Sequence, residues 1–136
     1  MEDLYAGPSW NFVFGQASLT ERVGVYSFAR YAPESGSAPA HAPLLRACKV
    51  LAHEAGHLFG LWHCIYYACL MNGSNHLAEL DRRPLHLCPV CLRKLQSSSR
   101  FDVTERYRRL RDLCCEAGFD DEAAWFEHHA GLRGSP

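Results

Sequence analysis

The chain has 136 residues, 48% of them apolar and 21% charged, with a formal net charge of −1. That size suits one domain of about 100–200 residues. The composition argues against global disorder, the charge gives no global reason to expect nucleic acid or an anionic membrane as partner, and no apolar run approaches the roughly 18 residues of a membrane span. The counts that stand out are 8 His and 7 Cys. Met1 is followed by Glu2 and Asp3, with no basic leader segment. The expectation is a cytoplasmic (or also nuclear) chain whose thiols are metal ligands or bystanders rather than disulfides.

In chain order, Leu4 and Tyr5 read as the end of a short strand. Trp10, Phe12 and Phe14 alternate with Asn11 and Val13, a strand period. A second run, 23–31, is rich in β-branched and aromatic residues: Val23, Val25, Tyr26, Phe28 and Tyr31. The polar stretch from Ser18 to Arg22 is too short for a crossover helix, so the pair should be antiparallel. The second run should be the sheet's edge. Residues 33–43 hold three prolines and read as a loop. Pro43 suits a first helical turn. From Leu44 to Phe59 the spacing predicts a helix with Leu44, Cys48, Leu51, Ala55 and Leu58/Phe59 as its apolar face, stopped by Gly60. Residues 61–100 lack long periodicity and read as irregular. A basic amphipathic helix is predicted from Asp102 to Leu113, with Val103, Tyr107 and Leu110 on one face. Asp102, Glu105 and Asp112 interrupt its arginines, which favours a solvated face over a nucleic-acid surface. A last short helix runs from Asp121 to Ala130, before Gly131.

The central signal is the eleven-residue run from His53 to His63, with Glu54, His57 and Gly60 between. On a helix, His53 and His57 project from one face and can share a metal. Gly60 can take a positive φ and turn the chain so that His63 arrives as a third ligand. Three protein ligands leave a fourth tetrahedral position for water, the layout of a catalytic zinc. Glu54, beside His53, is placed to accept that water's proton. The five fixed positions of this motif recur by chance in a chain of this composition with probability roughly 10⁻⁴.

Cys64 follows His63 directly, Cys69 comes five residues on, and Cys88-Pro89-Val90-Cys91 supplies a C-x-x-C pair. Two such pairs match a structural Cys₄ zinc site. It would fold a segment with little apolar core of its own and pin His63 through its neighbour. Met71, eight residues past His63, is a candidate floor beneath the histidines. Cys48, Cys114 and Cys115 carry no such pattern.

These residues resemble the metzincin metallopeptidases, in which a methionine turn follows the third histidine. The cysteines that begin immediately after His63 resemble the archaemetzincin family in particular. So do the runs Ser9–Ser18, Asn72–Leu77 and Asp81–Leu85. The resemblance implies an α+β metzincin-like zincin. A small, truncated mixed sheet would pack on the zinc-binding helix, followed by an irregular zinc-stapled subdomain with helices. It divides the chain into a catalytic domain over 1–111 (sheet and active-site helix 1–60, Cys₄ subdomain and helix 61–111) and a tail or short helix over 112–136. Family members carry a longer N-terminal part, and this chain opens near the later strands. The activity implied is zinc-dependent hydrolysis of peptides or proteins, aminopeptidase-like, with two zinc ions per chain and an extended peptide held along the 23–31 edge, where the Ser27 N–H is a candidate donor to it. His53, His57 and His63 match the catalytic-zinc ligands, Glu54 the acid/base, Cys64, Cys69, Cys88 and Cys91 the structural-zinc ligands, and Met71 the turn methionine. The alternative is a catalytically impaired, zinc-stabilised interaction module or fragment.

Overall fold

The computed structural model describes residues 4, 7, 14–18, 20–29, 31 and 39–131. The chain divides into two compact units, Met1–Leu95 and Gln96–Pro136.

The first unit is α+β. Strands β1 (Gly15–Ser18) and β2 (Val23–Tyr26) pair antiparallel with Gly15 opposite Tyr26 and Ser18 opposite Val23. The expected alternation at residues 10–13 lies outside the described residues, as do Tyr5 and most of the 33–43 loop. The short connection closes through Arg22 N–H to Ser18 O at 2.9 Å, with Arg22 at φ 54°. Past β2, the Ser27 N–H donates inward to Phe14 O at 3.0 Å. It is therefore part of the hairpin and not a donor for a docked peptide.

Helix α1 (Ala42–Leu58) packs on both strands. Its first turn contains Pro43, whose missing N–H costs nothing there. The face it buries differs from the one its leucines predict. Arg46, Lys49, Val50, His53, Glu54 and Gly56 are buried, whereas Leu44 and Leu51 are exposed. Buried charge is tolerated here because it is paired. Arg46 makes a bidentate bond to Asp81, both contacts 2.8 Å, and donates to Tyr31 O at 2.8 Å. Lys49 Nζ donates to Asp81 O at 3.0 Å. The Arg46 hydrogen bond is the main cause that holds the Asp81 carboxyl below its usual range.

Asp81 lies in α2 (Leu77–Arg82), so these bonds tie α2 to α1. Residues 61–100 are thus less irregular than expected: they contain α2 and α3 (Pro89–Ser99). The six-residue α2 is too short to show periodicity. The start of α3 is hidden inside the C-x-x-C pair, where Pro89 opens the helix. One apolar cluster joins Tyr31, Val50 and Leu80, with Phe14 and Leu77 against it. A second joins Leu61, Cys69, Leu70, Met71, Leu87, Cys88 and Cys91.

The second unit contains a helical hairpin, α4 (Val103–Ala117) and α5 (Asp120–His129). Asp102 caps α4 by accepting from Glu105 N–H, and Gly118 ends it at φ 72°. The helix runs a turn beyond Leu113 because Cys114 continues the buried face begun by Tyr107. Tyr107 meets Phe126 at 5.5 Å between ring centroids.

Candidate metal centres

The structure brings His53, His57 and His63 together. Helix α1 sets the first two four residues apart on its buried side. Gly60, at φ 83°, turns the chain back, with its N–H on His57 O at 2.8 Å and Leu61 N–H on Gly56 O at 3.0 Å. The three rings then stand with centroids 4.7, 5.2 and 5.0 Å apart.

Their hydrogen bonds fix the tautomers. His53 Nδ1 lies 2.9 Å from Leu70 O and His57 Nδ1 lies 2.7 Å from Leu61 O. A carbonyl only accepts, so each Nδ1 carries the proton and each Nε2 is a bare lone pair. Yet His53 Nε2 is 3.1 Å from His57 Nε2 and 3.3 Å from His63 Nε2. The His53 and His57 lone pairs face each other with no proton between them and His63 Nε2 stands within the same reach, an arrangement that a cation would satisfy. Zinc bonds of about 2.0–2.1 Å in a tetrahedron set neighbouring nitrogens about 3.3 Å apart, so the spacing fits that ion. Burial, more than the neighbouring charges, holds the His53 pKa down to about 3, which keeps the ring neutral and able to ligate.

Glu54 is buried beside His53. Strand β1 passes close above it: a Cβ on Gly15 would come 2.8 Å from Glu54 Cγ. Burial raises the Glu54 carboxyl above its ordinary range, against the pull of His57 and Arg83. Met71 is fully buried under α1 beside Gly56.

The four cysteines form a second cluster, all four sulfurs within 4.8 Å of one another. The Sγ atoms of Cys64 and Cys88 are 3.9 Å apart. Tetrahedral zinc–thiolate bonds of about 2.3 Å give about 3.8 Å. Backbone N–H groups already point at the sulfurs: Met71 and Cys88 at Cys69 Sγ (3.4 and 3.2 Å) and Cys91 at Cys88 Sγ (3.4 Å). Burial pushes the Cys69 and Cys91 thiols up, so filling this site would release protons. No disulfide joins the cysteines among the described residues.

Asn72, to which the motif assigns no role, holds the loop between the centres. It donates through Nδ2 to Cys64 O and Tyr67 O (2.6 and 3.0 Å) and accepts from Cys69 N–H at 2.8 Å. Cys64 N–H donates to Met71 O at 2.9 Å, so the methionine turn and the ligand after His63 are one unit. Gly15, Asn72 and Arg83 are the site residues that motif spacing does not find. Gly15 and Arg83 act across contacts distant in sequence, and Asn72 acts through a loop turn that carries no ligand spacing.

A family model described as peptidase family M54 matches residues 1–97. Archaemetzincin-2 of Mus musculus is 50% identical over 164 residues, covering 97% of this chain and 45% of that protein. Archaemetzincin-2 of Homo sapiens is 46% identical over 155 residues, covering 94% and 43%. The chain therefore spans less than half the length of these curated relatives. Among solved structures, archaemetzincin from Methanopyrus kandleri superposes with a TM-score of 0.64 at 42% identity, covering 74% of this chain and 53% of that one.

Proposed function

The chain belongs to peptidase family M54, the archaemetzincins, and we propose on that basis that it is a zinc-dependent peptidase working through the three-histidine centre. The observation that carries the reading is the convergence of the Nε2 atoms of His53, His57 and His63, with the first two rings locked from behind by carbonyls. Glu54 stands in the same site, which favours a peptidase over an impaired interaction module.

His53, His57 and His63 would hold the ion, and zinc bound there lowers the pKa of a ligated water to about 7 and polarises a peptide carbonyl. Glu54 takes the proton of the attacking water and delivers it to the leaving amine as the C–N bond breaks. Cys64, Cys69, Cys88 and Cys91 would hold a second ion that takes no part in chemistry, because four thiolates close its coordination. The substrate is a peptide or protein, with aminopeptidase-like action as the finer expectation. Four thiols spaced for zinc suit a reducing compartment, cytoplasmic or nuclear. No helix among the described residues is long and apolar enough to cross a membrane.

Glu54→Ala tests the scheme. It should keep zinc and the circular-dichroism spectrum while peptide cleavage falls roughly 10²–10⁴-fold. Cleavage at the parental rate would remove Glu54 from the mechanism. Matched peptides with free and blocked N-termini test the aminopeptidase reading.

A further inference from the structure

Arg83 is a buried cation, 6% exposed, that the chemistry above does not use. It follows the last residue of α2, and its N–H donates to Glu79 O at 3.0 Å. Because Arg46 and Lys49 tie Asp81 to α1, Arg83 is delivered from an element anchored to the metal helix. Its Nη1 donates to Asn72 O at 2.9 Å and lies 3.2 Å from His53 Nδ1. The second contact is not a hydrogen bond, since a guanidinium has only donors and His53 gives its Nδ1 proton to Leu70 O. Leu70 and Asn72 flank Met71. His53 and Arg83 thus grip the methionine turn by two carbonyls, one on each side of the methionine.

Arg83 is also costly. Among the described residues its Nε and Nη2 are buried without hydrogen-bond partners, as is the Tyr31 hydroxyl. Idle buried donors oppose folding, and an apolar side chain would fill the same space without that cost. A scaffold role alone does not explain a guanidinium here.

We propose that Arg83 is a positioning residue of the three-histidine centre. Its bond to Asn72 O holds the methionine turn at the height where Leu70 O receives the Nδ1 proton of His53, so that the ring presents only Nε2 to a metal. A group that orients a ligating histidine in this way also sets how firmly the metal is held. The inference rests on the reading of His53, His57 and His63 as one metal site.

The test uses the full zinc-loaded chain with Arg83→Met, which keeps length without donors or charge, and Arg83→Lys, which keeps charge but replaces the planar fork by a point donor. Zinc lost to a fixed concentration of chelator is followed in time, together with total zinc per chain and thermal unfolding. Loss of an outer-shell partner weakens metal binding roughly 10–100-fold, so the fast-released zinc should leave about tenfold sooner from Arg83→Met, with Arg83→Lys in between. The slowly released zinc should leave at the parental rate in both. Parental release of the fast zinc overturns the proposal. So does loss of both zincs in step with a lowered melting temperature, which is the signature of a scaffold residue. If Arg83→Met does not fold, Arg83→Lys decides alone by the same criteria. A parent that holds no fast-released zinc overturns the metal-site reading itself, and this inference with it.

Discussion

Gly56 leaves the notch in α1 that Met71 fills: a Cβ on Gly56 would stand 2.5 Å from Met71 Sδ and 3.1 Å from its Cε. A glycine in mid-helix costs about 0.8–1.0 kcal/mol relative to alanine. Here that cost lets the methionine turn approach the metal helix closely enough for Leu70 O to reach His53 Nδ1.

Gly56→Ala should therefore destabilise the zinc-loaded chain despite its better helix propensity. Overpacking typically costs about 1–3 kcal/mol, so a net loss of about 1 kcal/mol is expected by urea denaturation. In a Met71→Ala background, itself destabilised by the cavity, the same Gly56→Ala step should cost little or nothing, since the two residues are in contact and couple. A gain in stability from Gly56→Ala alone would show that Met71 swings aside freely.

Gly15→Ala should act on catalysis rather than on folding. The new methyl group would meet Glu54 Cγ at 2.8 Å and Glu54 Cδ and Oε1 at 3.0 Å, which pushes the carboxylate out of line. Displacements of this kind cost up to about 10²-fold in rate. The fall should be in kcat, with zinc content unchanged. An unaltered kcat would mean that the carboxylate is not held by β1.

The two metal centres should differ in what they support. His57→Ala should lose one zinc and catalysis while keeping most of the fold. Cys88→Ser should lose the other zinc, whose binding in small zinc-finger peptides is worth about 10–16 kcal/mol of folding free energy. It should also loosen the histidine centre, because Cys64 adjoins His63 and Cys64 N–H is bonded to Met71 O. Zinc stoichiometry and circular dichroism on both variants check this. A Cys88→Ser chain with an intact histidine site would sink the structural role.

The metal-free chain should weaken in acid. His53 has its pKa lowered from 6.5 to about 3, and that of His63 is also lowered, in each case chiefly by burial. Unfolded rings titrate near their ordinary value of about 6.5, so below it the unfolded state binds more protons than the folded one. This contribution is fully present above about pH 6.5 and is lost as pH falls toward 3. The urea midpoint should drop between about pH 7 and pH 5, and His53→Gln should flatten the dependence. A midpoint that ignores pH over that interval contradicts the burial of neutral rings.

The two clusters, His53/His57/His63 and Cys64/Cys69/Cys88/Cys91, were legible in the sequence because their members obey local rules. Four residues is one helical turn, so His53 and His57 share a face in any helix, and a glycine at position 60 turns the chain wherever it lies. The cysteine pairs carry their spacing with them. What the tertiary structure alone decided are contacts between residues far apart in sequence: Gly15 against Glu54, and Arg83 on Asn72 O beside His53. It also reversed the expected face of α1, burying Arg46 and Lys49 and exposing Leu44 and Leu51. Periodicity reports which residues share a face of a helix, but which face is buried depends on what packs against it. Here that is Asp81, which pairs with both cations and makes their burial tolerable.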